Sequence, residues 1–149
     1  MKKILVTGAN GQLGQCLQKI SSQFEEFEFI FTDSETLDIT NKEEVNDFFW
    51  QNAPDFCINA AAYTAVDLAG TDIEKAFLVN ADGTENLAEA CAENNAQFIH
   101  VSTDYVFDGE KNLAYTEEDF TNPLGVYGAS KLAGDELALE VNPCSVILR

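Results

Sequence analysis

The sequence predicts an α/β fold built on a doubly wound parallel sheet, and three observations carry that expectation. Short β-branched and apolar runs alternate along the chain with segments of helical period. A glycine-rich turn separates the first such run from the first helical segment. The 149 residues, 46% of them hydrophobic, suffice for one compact domain with its own core and not for two of ordinary size.

Each element has its reason. Ile4-Leu5-Val6 stops at Thr7-Gly8 and reads as a buried strand. Leu13, Leu17 and Ile20 then recur at helical spacing. Glu28 to Thr32 is a second strand with Asp33 at its carboxyl end, and Leu37-Asp38-Ile39 is a very short third. Thr40 or Asn41 caps a helix through Val45, Phe48 and Phe49, with Glu43 and Glu44 in its first turn. Phe56 to Asn59 is the fourth strand, and a long helix follows from about Asp72 to Glu93. Phe98 to Val101 leads into Ser102-Thr103-Asp104, and a loop-rich stretch carries the turn signals Asp108-Gly109 and Asn122-Pro123. A helix from Val126 to about Glu140 and a strand from Ser145 to Leu148 complete the pattern. Right-handed βαβ units then give three α/β/α layers of Rossmann type, strand order 3-2-1-4-5-6, with ligands bound beyond the strand carboxyl ends.

Charge narrows the partners. Eight basic against 26 acidic residues leave a formal net charge of −18, which repels nucleic acid and anionic membranes. An anionic ligand can still be held where backbone N–H groups and a helix N-terminus supply local positive potential. Lys2-Lys3 precedes too short an apolar run for a leader, and no run reaches the ~18 apolar residues of a membrane span. Cys16, Cys57, Cys91 and Cys144 form no C-x-x-C pair, and the single histidine, His100, completes no zinc site beside them, so no metal is expected. Three of the four cysteines fall in apolar stretches and read as buried thiols, which points to a reducing cytoplasm.

Gly8-Ala9-Asn10-Gly11-Gln12-Leu13-Gly14 is spaced G-x-x-G-x-x-G between a strand and a helix, the setting in which a pyrophosphate meets bare backbone at a helix N-terminus. A plain chain reversal would also use three glycines. Asp33 shifts the balance, because it follows Gly14 by about the twenty residues expected of a carboxylate on an adenosine ribose 2′-hydroxyl. That carboxylate favours NADH over NADPH by repelling a 2′-phosphate. Asp38 is placed either near the adenine or in an exposed loop.

Tyr127 and Lys131 stand one helical turn apart. A tyrosine of pKa ~10 is a poor proton donor near neutrality unless a nearby cation stabilises its phenolate. The same ammonium can hold the nicotinamide ribose. Ser102-Thr103, ending the preceding strand, offers a hydroxyl to the reacting oxygen. His100 reads as a packed core histidine, Phe24, Phe27, Phe29 and Phe31 as core and edge packing, and Trp50 as core rather than interface.

These residues together resemble the extended short-chain dehydrogenase/reductase superfamily: the glycine turn, Asn59-Ala60-Ala61, Ser102-Thr103 and Tyr127-x-x-x-Lys131. Within it, the strings from Asn59 to Asp67, Val101 to Gly109 and Val126 to Gly134 are similar to the dTDP-4-dehydrorhamnose reductase family. The likeness runs through all 149 residues and corresponds to roughly the first half of such a reductase, the substrate-binding C-terminal part being absent. It implies an enzyme using NADH or NADPH to reduce the 4-keto group of dTDP-4-dehydro-L-rhamnose. By that resemblance Gly8, Asn10, Gly11, Gln12, Leu13, Gly14, Asp33, Asp38 and Ala60-Ala61-Ala62 hold the cofactor, with Asn80, Tyr127 and Lys131 at its nicotinamide end. Thr103, Tyr127 and Lys131 are catalytic, and Thr103, Asp104 and Tyr105 meet a dTDP-linked 4-keto-6-deoxy sugar. A homodimer is compatible with it. One departure stands out: the family's lysine and glutamate after Val66-Asp67 are replaced by Leu68 and Gly70.

Two other functions fit parts of the pattern: a non-catalytic dinucleotide-binding regulatory subunit, and a related epimerase or dehydratase. The intact Thr103, Tyr127 and Lys131 favour an enzyme. The lack of an Asp-Glu pair after the threonine argues against a dehydratase.

Overall fold

In the computed structural model, residues 1–65 and 72–149 are described. Five parallel strands form one sheet in the order β2-β1-β3-β4-β5: β1 is Lys2–Thr7, β2 Phe27–Phe31, β3 Phe56–Asn59, β4 Gln97–Val101 and β5 Val146–Leu148. The helices are α1 (Gln12–Ser21), α2 (Lys42–Asn52), α3 (Ile73–Phe77), α4 (Gly83–Glu93) and α5 (Val126–Val141). A π-helical segment, Leu78–Asp82, joins α3 to α4, and a 3₁₀ turn, Asp104–Val106, follows β4. β1 pairs with β2 on one side and β3 on the other, and the chain crosses back over β1 between them, so the switch point lies at the carboxyl end of β1.

One predicted strand is absent. Leu37-Asp38-Ile39 pairs with nothing, leaving five strands among the described residues where six were expected. The segment's backbone groups find partners outside the sheet: Asp38 N–H donates to Glu44 Oε1 at 2.9 Å, and the Ile39 carbonyl accepts from Asn86 Nδ2 at 3.0 Å. Asp33 Oδ1 accepts from the N–H groups of Glu35 and Thr36, Leu37 N–H bonds the Asp33 carbonyl at 2.9 Å, and Thr40 N–H bonds Asp38 Oδ1. Asx turns of this kind compete with a sheet ladder and here they win. Leu37 and Ile39 are buried all the same, as part of the core.

That core lies between the sheet and the α2/α4 layer, around Leu5, Phe49, Leu87, Cys91 and Phe98. Asn41 caps α2 through its side chain, which accepts from Glu44 N–H, and Lys42 pairs with Glu89 at 2.6 Å to tie α2 to α4. The long helix expected from Asp72 to Glu93 forms, but with the π segment in its middle. Phe27, Phe29 and Phe31 are half-buried on edge strand β2, with Phe29 stacked on Phe31. Trp50 is not core: it stands 83% exposed on α2, on the face opposite buried Val45 and Phe49. Two cysteines, Cys57 and Cys91, are buried rather than three; Cys16 and Cys144 are exposed.

Candidate active site

The carboxyl end of β1 turns sharply at Gly8, whose φ of +69° and whose approach to the Ala60 backbone leave no room for a side chain: a Cβ would sit 2.6 Å from Ala60 carbonyl atoms. Gly14 packs α1 against the same turn, where a Cβ would collide with the Gly8 carbonyl and the Ala9 backbone. Gly11, at the N-cap of α1, offers no side chain to the first-turn amides. Those amides have no acceptor within the helix.

A cleft of about 860 Å³ opens at this point. Gly8, Asn10, Gly11, Gln12 and Leu13 line it from the turn, Asp33 and Asp38 from the loop after β2, and Ala60, Ala61 and Ala62 from the end of β3. Asp33 Oδ2 accepts from Asn10 Nδ2 at 2.6 Å, and its carboxyl is held below the ordinary aspartate value, first by the Thr36 hydroxyl and then by the Glu35 N–H. Asp38 is exposed, as expected of a loop residue, and it also borders the cleft. Lys75 of α3 is the only cation among the described lining residues. It belongs to no motif, and only the fold brings it there.

A second cleft, of about 480 Å³, lies beyond β4 and is lined by Asp104, Tyr105, Tyr127 and Tyr115, among others. Tyr105 and Tyr127 meet edge to face at 5.7 Å. The Thr103 hydroxyl accepts from Tyr105 N–H at 3.2 Å and donates to Asp104 Oδ1 at 3.3 Å, so Thr103 holds the turn that presents these groups. Thr103 and Lys131 border neither cleft.

Lys131 departs most from the sequence expectation. Its side chain is buried, and Nζ lies 2.8 Å from the Val101 carbonyl and 3.1 Å from His100 Nε2, turned into the protein. Burial pulls its pKa down to about 8, opposed by the Asp135 carboxylate. His100 is fully buried, as expected of a core histidine, and burial followed by the Lys131 charge lowers it to about 2, so it is neutral. Its 3.7 Å approach to Asp135 Oδ1 is therefore not an ion pair. Asp135, raised by burial, receives bonds on Oδ2 from Ser102 Oγ (2.9 Å) and Arg149 Nε (3.0 Å). Ser102 thus faces inward, away from the clefts. Asp135 stands four residues after Lys131 on the same helix face, a spacing that could have marked it.

Asn80 is buried in the π segment. Its amide bonds both backbone groups of Tyr63 (2.8 and 3.1 Å) and reaches Ser130 Oγ at 3.0 Å, making it a brace between the loop after β3 and α5. Leu68 and Gly70 lie outside the described residues. Among described residues, no helix is long and apolar enough to cross a membrane.

The empty-sided turn, the uncapped N-terminus of α1 and the carboxylate at the end of β2 fit a dinucleotide: backbone donors for a pyrophosphate and an acceptor for ribose hydroxyls. Known proteins resemble this chain over nearly its whole length. A dTDP-4-dehydrorhamnose reductase of Aggregatibacter actinomycetemcomitans is 46% identical over the whole chain, which spans 51% of that protein. The crystal structure of a dTDP-4-dehydrorhamnose reductase from Clostridium acetobutylicum superposes with a TM-score of 0.93 at 46% identity, covering 97% of this chain and 51% of that one. One from Bacillus anthracis, in complex with NADP, gives 0.94 at 38% identity, covering 99% and 52%. The chain spans about half the length of these relatives. With the family model for the RmlD substrate binding domain matching residues 1–149 from end to end, the chain belongs to that family.

Proposed function

We propose that this chain is the cofactor-binding and catalytic half of an NADH- or NADPH-dependent reductase acting on the 4-keto group of dTDP-4-dehydro-L-rhamnose, giving dTDP-L-rhamnose. The observation that carries it is the shared position of the two clefts. The glycine-turn cleft follows the carboxyl end of β1 and the Tyr127 cleft follows that of β4, on one rim of a parallel sheet.

When bound, the dinucleotide supplies a hydride to the carbonyl carbon. Tyr127 gives its phenolic proton to the oxygen that becomes the alcohol, and the Thr103 hydroxyl orients that oxygen beforehand. An ammonium at Lys131 stabilises the phenolate left on Tyr127 and holds ribose hydroxyls. Asp104 and Tyr105 border the sugar, and a segment beyond the matched half supplies the remaining nucleotide-sugar contacts. Lys75, which lines the same cleft as Asp33, offers a positive charge to an anionic cofactor. The buried thiols of Cys57 and Cys91 fit a cytoplasmic protein, and exposed Trp50 is compatible with a homodimer.

One observation favours a second reading. The inward Lys131 is what a non-catalytic dinucleotide-binding subunit would also show. Turnover decides between them. Full-length protein supplied with dTDP-4-dehydro-L-rhamnose and NADPH or NADH should consume the reduced cofactor, and Tyr127→Phe should lower kcat by about 10²–10⁴-fold. No turnover in the wild type, or unchanged turnover in Tyr127→Phe, would sink the assignment.

A further inference from the structure

Behind Tyr127, the donors and acceptors around Lys131 do not balance if that lysine carries its charge. Asn59 sets the arrangement. Its Oδ1 faces the Ala61 N–H at 3.1 Å and the Thr7 hydroxyl at 2.8 Å. A backbone N–H only donates, so the amide cannot be turned over. Its Nδ2 therefore points at Thr84 Oγ1 (3.3 Å) and at His100 Nδ1 (3.1 Å). Thr84 has already given its own hydrogen to the Asn80 carbonyl at 2.8 Å, which agrees with this orientation.

It follows that His100 Nδ1 is an acceptor and that the neutral imidazole carries its hydrogen on Nε2. Nε2 meets Lys131 Nζ at 3.1 Å. An ammonium has no lone pair, so this contact is a hydrogen bond only when Lys131 is the uncharged amine, accepting from Nε2–H and donating to the Val101 carbonyl. Asp135 Oδ1 also approaches Nε2, at 3.7 Å, and is buried without a hydrogen-bond partner among the described residues. A buried oxygen left in that state calls for an explanation.

We propose that His100 and Asp135 are positioning residues for Lys131: His100, fixed as the Nε2–H tautomer by Asn59, holds the lysine inward as a neutral amine. When the lysine takes a proton from water, the Nε2–H turns to Asp135 Oδ1 and the ammonium is free to swing towards Tyr127. Only this last movement rests on the reductase reading; the inward pair belongs to the chain by itself. Burial acts in the same direction, bringing Lys131 to about 8 so that both of its forms are accessible near neutrality. The groups facing the pair are few. Asp135 faces it from α5, with Arg149 bound to that carboxylate after β5, while the π segment and α4 bring only the uncharged Asn80 and Thr84.

His100 is the only histidine, so its ring nitrogens can be read without assignment ambiguity. Long-range ¹H–¹⁵N NMR of the unliganded chain should show a protonated Nε2 and a bare Nδ1 from about pH 6 to 9. The ring resonances should shift with a midpoint at about 8, and that shift should vanish in Lys131→Met. An Nδ1–H tautomer, an imidazolium, or a shift that survives in Lys131→Met would overturn the proposal. Asp135→Asn should move the midpoint down, because its carboxylate favours the ammonium; an unmoved midpoint in that folded variant removes Asp135 from the device. The wild-type tautomer and the Lys131→Met comparison decide the matter even where Asp135→Asn does not fold. None of these signals needs turnover, so a failed reductase assay and a failed tautomer are separate results.

Discussion

Gly14 shows how far a single hydrogen atom can matter. Its missing side chain lets α1 close on the Gly8 carbonyl and the Ala9 backbone, both rigid parts of the turn. Gly14→Ala must push the helix away, and overpacking of this kind costs about 1–3 kcal/mol. Urea unfolding should show that loss. Calorimetry with NADH should show weaker binding as well, since the displaced amides are those proposed to face the pyrophosphate. Gly8 and Gly14 were legible because their spacing and setting between strand and helix are local in sequence. The place of Asp33, after β2 and at the cleft, was legible for the same reason. The orientation of Lys131 was not: a Tyr-x-x-x-Lys spacing puts two groups on one face but says nothing of a buried His100 and Val101 carbonyl waiting thirty-odd residues upstream.

Among the elements, α2 isolates a capping effect. Asn41 accepts from Glu44 N–H at 3.3 Å, while Glu43 and Glu44 sit at the positive end of the helix. Asn41→Ala should cost about 1 kcal/mol, read as a lower midpoint of urea unfolding with an unchanged m-value. Thr40 or Asn41 was legible as the cap because a polar residue of that type ahead of first-turn carboxylates is a local signal, and the structure selects Asn41. Two other elements were misread through non-local causes. Leu37 and Ile39 carry the apolar alternation of a strand, but Leu37 N–H turns back to the Asp33 carbonyl, Asp38 N–H goes to Glu44 Oε1, and the carboxylates of Asp33 and Asp38 hold the turns on either side. Trp50 looked like core from composition alone, whereas the period of α2, with Val45 and Phe49 buried, carries position 50 to the outside.

At the scale of the molecule, the alternation of strands and helices implies a parallel sheet with right-handed crossovers, and so most of the fold was readable. The pH response was not, because it comes from burial. His100 is held at about 2 when folded, against about 6.5 when exposed in the unfolded chain. The unfolded state therefore binds a proton that the folded state refuses. This contribution to stability is present above about pH 6.5 and is lost as pH falls towards 2, at up to about 1.4 kcal/mol per pH unit. Asp135, raised by burial, works in the opposite sense in the more acid part of that range. Urea unfolding of wild type at successive pH values below 6.5 should steepen accordingly, and His100→Gln should flatten the dependence. A wild-type slope retained in His100→Gln would assign the acid sensitivity elsewhere.

The π segment Leu78–Asp82 has one further consequence. An α-helix advances about 100° per residue, so the wider turn works as a phase shifter inserted into an otherwise continuous rod. Upstream of it, Lys75 looks into the first cleft; downstream, Leu87 and Cys91 look into the core. A helix of uniform pitch would have one apolar meridian from end to end. Here the shift falls between the turn that lends Lys75 to the first cleft and the turns that lend Leu87 and Cys91 to the core, so one rod serves the cleft at one end and the sheet at the other.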